Sequence, residues 1–296
     1  MKNILLTGST GFLGSHLLKK LVDNHNSVTC LKRESSDLWR VKKLSQKVAW
    51  ADIESTDFHD LILEKKIDYI IHCATDYGKR QVNPMETIEA NLMLPLRLIH
   101  ASKETTVSAF INTDTILDKR INHYSLSKSQ FVDWLRYYSN DCTVINIAIE
   151  HFYGAHDDVS KFASFVISEL LDNKVKELDL TKGLQERDFI HINDVTDAFL
   201  TLIQNIKSLK KDFYHFEVGS NELISIKDFV NLVKKLCNNT NSKLNFGALP
   251  YRDNEVMSTN VDTSFLKSLG WKTQYTLEER LKEAVNVERT NKVYKN

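Results

Sequence analysis

Lys2-Asn3-Ile4-Leu5-Leu6 is a short, mostly apolar run, and Thr7-Gly8-Ser9-Thr10-Gly11-Phe12-Leu13-Gly14 follows it directly, ahead of a helical pattern. Three of the chain's nine glycines fall in the seven residues 8–14. Glycines gathered in this way mark backbone that side chains would obstruct. A strand, a tight turn and a helix whose amino end faces an anion is the geometry that needs them. In this reading Gly8 allows the turn out of the strand, Gly11 lets a pyrophosphate approach the backbone, and Gly14 lets the helix pack against the strand. The spacing is G-x-x-G-x-x-G, one residue longer in its first gap than G-x-G-x-x-G. An ordinary glycine-rich turn is the plain alternative, and the strand before and helix after argue against it.

Apolar spacing continues the pattern outward. Leu17, Leu18, Leu21 and Val22 give the first helix one buried face. Residues 28–31 read as a second buried strand, with Lys32 and Arg33 directly behind it. In a dinucleotide fold this strand end meets the adenosine ribose, where an acid binds the 2′-hydroxyl and a base accommodates a 2′-phosphate. Two bases here favour NADP(H), with NAD(H) as the alternative, unless the pair is simply a solvated one. Further strands are expected at 48–53, 68–74, 107–112 and 143–149, alternating with helices at 55–66, 85–102 and 124–138, the first of these capped by Ser55 or Thr56. Such alternation implies right-handed crossovers and a doubly wound parallel sheet of Rossmann type.

After residue 150 the rhythm changes to shorter elements. Helices are expected at 159–173, 194–206, 226–236 and 276–286, with strands at 176–180, 189–192, 214–218 and 243–246. The expected division is 1–150, a dinucleotide-binding domain, and 151–296, a smaller α/β substrate-binding region interleaved with it. Residues 288–296 are polar and expected to fray, Asp194 is expected to cap its helix, and the lysine-rich 207–211 run reads as a solvated loop.

Composition narrows the function. Of 296 residues, 42% are hydrophobic and 26% charged, and Lys+Arg equals Asp+Glu at 39 each. No global basic field exists to attract nucleic acid or a membrane surface. No signal peptide precedes the first strand and no apolar run approaches membrane-spanning length, so a cytoplasmic protein is expected. Cys30, Cys73, Cys142 and Cys237 are scattered, without disulfide or metal-ligand spacing. Buried thiols and no metal are expected.

Tyr124 and Lys128 stand four residues apart, on one face of the predicted helix. A nearby ammonium favours the phenolate and lowers a phenol's pKa, which suits a tyrosine that moves a proton during hydride transfer. Alone the spacing is a weak signal. Its context strengthens it: the helix follows the fifth strand, and Thr113 stands at that strand's carboxyl end, the edge where open parallel sheets bind ligands.

With these residues in place, the chain resembles the extended short-chain dehydrogenase/reductase family, and within it the nucleotide-sugar 4-ketoreductases of the CDP-abequose and CDP-paratose type. The resemblance covers essentially all 296 residues. Gly8, Thr10, Gly11, Phe12, Leu13 and Gly14 match the cofactor loop, Asp52-Ile53 the adenine contact, and Cys73-Ala74-Thr75 the segment after the fourth strand. Thr113, Tyr124 and Lys128 match the catalytic set. Asp114 or Thr115 can share the role given to Thr113. Glu150-His151-Phe152-Tyr153-Gly154 matches the loop lining the nicotinamide, and Arg187 and Arg252 match arginines that clamp the nucleotide diphosphate, with surface salt bridges as the alternative. His72 and His151 read as positioning groups. The stretches 74–78, 112–115, 183–189 and 252–257 carry the closer likeness.

The resemblance implies NADPH-dependent reduction of the C4 ketone of a 4-keto-6-deoxy or 4-keto-3,6-dideoxy hexose on a nucleotide diphosphate, for deoxysugar and O-antigen synthesis, by a homodimer joined through the 85–102 and 124–138 helices. Tyr124 protonates the alkoxide, Lys128 holds the ribose and keeps the phenol acidic, and Thr113 bonds the carbonyl oxygen. Rival readings are an NAD-dependent epimerase, a 4,6-dehydratase, and a non-catalytic NADP sensor. Lys32 and Arg33 argue against the first, Thr115 after Asp114 against the second, and the intact Thr113, Tyr124 and Lys128 set against the third. Thr113 and Tyr124 stand only eleven residues apart, where relatives usually have a longer loop, so a more open active-site mouth is expected.

Overall fold

The computed structural model describes residues 1–78, 83–172, 174–253 and 255–293. Asn173, in the helix expected over 159–173, Asn254, in the 252–257 stretch, and the last three residues lie outside them. In chain order the first half runs β1 (Asn3–Thr7), α1 (Phe12–Asp23), β2 (Ser27–Lys32), β3 (Ala49–Asp52), α2 (Phe58–Glu64), β4 (Tyr69–His72), α3 (Met85–Ile88), a π turn (Glu89–Met93), α4 (Leu94–Ala101), β5 (Ala109–Thr115), α5 (His123–Tyr138) and β6 (Thr143–Ile149). There follow β7 (His151–Tyr153), α6 (Phe162–Leu171), β8 (Glu177–Leu180), β9 (Glu186–His191), α7 (Ile192–Asn205), β10 (Phe213–Val218), β11 (Leu223–Ser225), α8 (Ile226–Leu236), β12 (Lys243–Phe246), α9 (Ser264–Ser268) and α10 (Leu277–Val293).

By compactness the chain divides into two units. The first comprises 1–149, 196–218 and 264–271 and holds a seven-stranded sheet in the order β10-β6-β5-β4-β1-β2-β3. Every pairing in it is parallel. This is the doubly wound Rossmann-type architecture. The central strands are apolar on both faces because helices cover both: Ile4, Leu5, Leu6, Ile70, Ile71, Phe110 and Ile111 have no solvent exposure. One core cluster packs Leu61, Ile62, Leu98, Phe131 and Leu135 against Leu5, Ile70 and Phe110. The chain reaches β3 at one edge and returns to place β4 on the other side of β1. That reversal opens a crevice at the carboxyl ends of β1 and β4.

Local chemistry sets the ends of these elements. Asp57, not Ser55 or Thr56, caps α2, accepting the Asp60 N–H at 3.0 Å; the expected helix therefore starts two to three residues late. Asn122 caps α5 in a reciprocal box with Ser125. The helix expected over 85–102 is interrupted by the π turn. Pro95 has no N–H to give the Asn91 carbonyl, and the Leu94 N–H reaches back five residues to Glu89.

The second unit comprises 150–195, 219–263 and 272–296. It contains a three-stranded sheet, β11-β9-β7, and a parallel pair, β12-β8. Its core joins Val166, Phe189, Phe229, Val233, Leu281 and Val285, with the Phe189 and Phe229 rings stacked at 3.9 Å. β7 and β11, three residues each, are too short to leave a periodic signal. Two expectations are corrected here. α10 continues to Val293 instead of fraying from 288. Asp194 lies inside the first turn of α7, which begins at Ile192, and accepts the Gln274 N–H at 3.0 Å instead of capping.

Candidate active site

The crevice beside β1 is built by glycine. Gly8 has φ +68°, and a Cβ there would lie 2.5 Å from the Ala74 nitrogen, so the turn after β1 presses on the segment after β4. Gly14 is tighter, since its Cβ would lie 2.1 Å from the Gly8 carbonyl oxygen. Thr7 locks the two strand ends together. Its Oγ1 accepts the N–H groups of Cys73 and Ala74 at 3.2 and 3.1 Å, so its own hydrogen goes to His72 Nδ1, 2.9 Å away. His72 is fully buried, and burial, followed by the Lys128 charge, holds its pKa well below the usual histidine range. It is a neutral, positioning histidine with its proton on Nε2.

α1 starts at Gly11 with no side-chain cap and no acid in its first turn. A twelve-residue helix with such an amino end favours a phosphate. The glycine cradle and this helix start fit the pyrophosphate of a dinucleotide. At the end of β2, Lys32 pairs in register with Asp52 on β3. Asp52 Oδ1 accepts the N–H groups of Glu54 and Ser55 at 2.9 and 3.1 Å, and these bonds, followed by the Lys32 charge, hold its pKa low. The Ile53 N–H bonds the Lys32 carbonyl at 3.0 Å, fixing the turn. Arg33 is exposed beside it.

β5 and α5 carry the remaining groups of this unit. β5 runs through Thr115, so Thr113 lies two residues inside the strand, opposite Ile147. Its hydroxyl donates to the His72 carbonyl at 3.0 Å. The Thr115 hydroxyl acts on the Tyr124 phenol in the sense that lowers its pKa, so Thr115 stands beside Thr113 as a candidate partner of the phenol. The cause is strand length: two more residues of β5 bring Thr115, on the same face, to the start of α5. Asp114 is saturated. Its Oδ1 accepts from Lys119 Nζ at 2.7 Å and its Oδ2 from Asn146 at 3.1 Å.

Lys128 is buried, and its Nζ donates to the Thr113 carbonyl at 3.0 Å. Burial pulls its pKa down to about 8, against the opposing pull of Asp114. Tyr124 behaves oppositely to the expectation. Burial, then the Tyr77 phenol and the Asp114 carboxylate, push its pKa well above the ordinary tyrosine range, and only the Thr115 hydroxyl works the other way. Desolvation dominates and favours the neutral phenol. Tyr124 is 8% exposed, and the Tyr77 ring packs on it at 5.1 Å.

These buried groups predict how stability follows pH. Below 6.5 the unfolded chain takes up a proton at His72 that the folded chain refuses, so stability is lost as the pH drops there. Between about 8 and 10.5 the folded chain releases the Lys128 proton while the unfolded chain keeps it, so stability rises with pH by ~1.4 kcal/mol per unit. Above 9 the reverse holds for Cys30 and Cys142, whose thiols burial pushes up to about 12 and about 11, and Cys73 adds to them. A maximum between about pH 8 and 9 is expected in urea midpoints measured with reductant present. Lys128→Met should remove the rise into that maximum; an unchanged rise would overturn the assignment.

In the second unit, His151 Nδ1 pairs with Glu150 at 2.9 Å. Arg187 Nη2 pairs with Glu255 at 2.5 Å, both side chains largely buried, and its Nη1 donates to the Glu186 carbonyl. Arg187 is thus tied into its own unit, whereas Arg252 is exposed. All four cysteines are free thiols, with Cys73 only partly buried, a departure from the expected burial. No group of three or more ligating side chains among the described residues could hold a metal, and no described helix is long and apolar enough to cross a membrane.

The profile of the NAD dependent epimerase/dehydratase family matches residues 4–219. The chain belongs to this family. Its glycine loop follows β1 of the parallel sheet, and Tyr124 and Lys128 lie on α5, which follows β5 of the same sheet. Two curated relatives are CDP-abequose synthases. That of Salmonella muenchen is 32% identical over 97% of this chain and 98% of its own; that of Salmonella typhimurium is 31% identical over 95% and 96%. Among solved structures, the UDP-glucose 4-epimerase of Thermotoga maritima with UDP-glucose superposes with a TM-score of 0.84 at 21% identity, covering 98% of this chain and 99% of that one. It shares the fold.

Three residues of this site had no assigned role in the sequence. Tyr77 stood in a stretch of resemblance only. Asn91 left a faint signal, a polar residue within an apolar helical pattern. Lys119 left none, because its partner Asp114 is reached only through the fold.

Proposed function

We propose that this family member reduces the C4 ketone of a nucleotide-linked, CDP-attached 4-keto-6-deoxy or 4-keto-3,6-dideoxy hexose with NADPH, as a cytoplasmic homodimer in deoxysugar synthesis for surface polysaccharide. The observation that carries the substrate class is the likeness to CDP-abequose synthases along nearly the whole of both chains. Gly8, Thr10, Gly11, Phe12, Leu13 and Gly14 hold the pyrophosphate, Lys32 and Arg33 the 2′-phosphate, and Asp52 and Ile53 the adenine. Cys73, Ala74, Thr75 and His151 line the rest of the dinucleotide. Arg187 and Arg252 serve the substrate diphosphate, Arg187 by exchanging Glu255 for phosphate oxygens.

Reduced nicotinamide supplies the hydride. Tyr124 gives its phenolic proton to the C4 oxygen as charge develops there, and Thr115, with Thr113 behind it on the strand, orients that oxygen and the phenol. Lys128 supplies the positive charge that steadies the phenolate left behind. The burial of Tyr124, with Tyr77 and Asp114 beside it, favours the neutral phenol that a proton donor needs. The saturated Asp114 is unsuited to the acid role of an elimination. For the dimer, Leu126, Trp134 and Tyr137 leave apolar surface exposed along α5.

The test is NADPH absorbance with CDP-, GDP- and dTDP-linked 4-keto-6-deoxy sugars, and with NADH in parallel. Oxidation with the CDP sugars, favouring NADPH, by a species sedimenting as a dimer is expected. No oxidation with any of them would overturn the reading.

A further inference from the structure

The connection between β5 and α5 spans only residues 116–122, yet the Tyr124 side chain is 8% exposed. What covers it comes from elsewhere in the sheet. The segment after β4 brings the Tyr77 ring to 5.1 Å from the Tyr124 ring, with 43° between their planes. Tyr77 is 38% exposed, so the outer ring meets solvent and the inner one is sheltered.

The cover is anchored at several points. Asn91, fully buried on the π turn, accepts the Asp76 N–H at 2.9 Å and donates to the Asp76 carbonyl at 2.8 Å. The same amide donates to Ser127 Oγ at 3.1 Å, and Ser127 donates to the Tyr124 carbonyl at 2.8 Å. Asp76 Oδ1 accepts the Gly78 N–H at 2.7 Å. Gly78, at φ +66°, lies so close to α5 that a Cβ would stand 2.2 Å from His123 Nε2. Tyr77 is therefore held between Asp76, tied through Asn91 to Ser127 on α5, and Gly78, which lies close against His123 of the same helix. A side-chain amide paired with a backbone in both directions resists the rotation that would swing the loop away.

We propose that Tyr77 is a positioning residue: its ring closes the reacting end of Tyr124 to water, in place of the longer β5–α5 loop that this chain lacks. The proposal rests on the reading of Tyr124 as proton donor. The titratable groups around Tyr124 are Tyr77 from the β4 segment, Asp114 from β5 with its partner Lys119, and His123 and Lys128 on α5 itself. Asp114 and Lys128 are held by their own bonds and stay in place when Tyr77 is changed. Removing the ring then changes hydration and takes away the Tyr77 phenol's own upward push.

The experiment uses the full chain with tyrosines labelled at the ring carbon bearing oxygen, followed by NMR against pH without substrate. Tyr124→Phe identifies the resonance by its loss. Tyr77→Ala should lower the titration of that resonance by roughly one unit or more, as a buried phenol gains water, while Tyr77→Phe, which removes only the phenol's push, should lower it by less. With ketosugar and NADPH, Tyr77→Ala should lose turnover at alkaline pH first, with Tyr77→Phe close to wild type. An unmoved resonance in Tyr77→Ala overturns the proposal, and so does an equal shift in Tyr77→Phe, which would assign the effect to the hydroxyl. Absence of any reductase activity in the unaltered chain, with the resonance shift intact, would sink the functional reading and leave the shielding role standing.

Discussion

Tyr124→Phe is expected to lower turnover by ~10²- to 10⁴-fold, the usual worth of a positioned general acid, with little change in NADPH affinity. The substitution keeps the ring that packs against Tyr77 and removes one oxygen. No group nearby can replace the proton. Thr115 is too weak an acid, Lys128 is committed to the Thr113 carbonyl, and Asp114 accepts bonds from Lys119 and Asn146. The two threonines separate in the same assay. Thr115→Val removes the hydroxyl that acts on the phenol and should depress turnover. Thr113→Val breaks a bond to the His72 carbonyl and should act mainly on stability, by about 1 kcal/mol. Equal turnover in Tyr124→Phe and the unaltered enzyme would remove Tyr124 from the chemistry.

Gly14→Ala is expected to abolish measurable NADPH binding and to destabilise the first unit. The new methyl would stand 2.1 Å from the Gly8 oxygen and 2.6 Å from the Gly8 carbon. Both are backbone atoms, so relief requires moving α1 away from the turn. Overpacking of this kind costs roughly 1–3 kcal/mol even where side chains can yield. Gly8 cannot retreat, because it already abuts Ala74. Gly11→Ala is the informative companion. Its Cβ meets only the Gly8 oxygen, at 3.2 Å, so the fold should tolerate it, while the methyl intrudes where the pyrophosphate approaches. Calorimetry should show near-native melting for Gly11→Ala with weakened NADPH binding, and both defects for Gly14→Ala. Normal binding in Gly11→Ala would mean that the dinucleotide lies elsewhere.

Much of this protein was legible one residue after another. Glycine spacing after an apolar run located the turn at Gly8, since no other residue tolerates that φ beside another backbone. Strand and helix alternation gave the parallel sheet, because crossovers of that length admit little else. The last sheet strand was placed only by the fold. Residues 213–218 pair with β6 in parallel, and nothing in six residues of sequence tells which edge they join.

The site divides in the same way. The sequence by itself determined which groups are present: the glycine loop, Lys32 and Arg33, and the Tyr124 and Lys128 pair set by helical periodicity. Only the tertiary structure decided how they behave. A helical spacing places an ammonium near a phenol, but the dielectric around them depends on residues distant in the chain. Burial under Tyr77, itself fixed by Asn91, raises the Tyr124 pKa that Lys128 alone would lower. That Thr115 as well as Thr113 lies within β5 depends on how far the strand extends, which its neighbours decide. Local spacing therefore fixed the identity of the reacting groups, and desolvation, a property of the assembled fold, fixed their protonation.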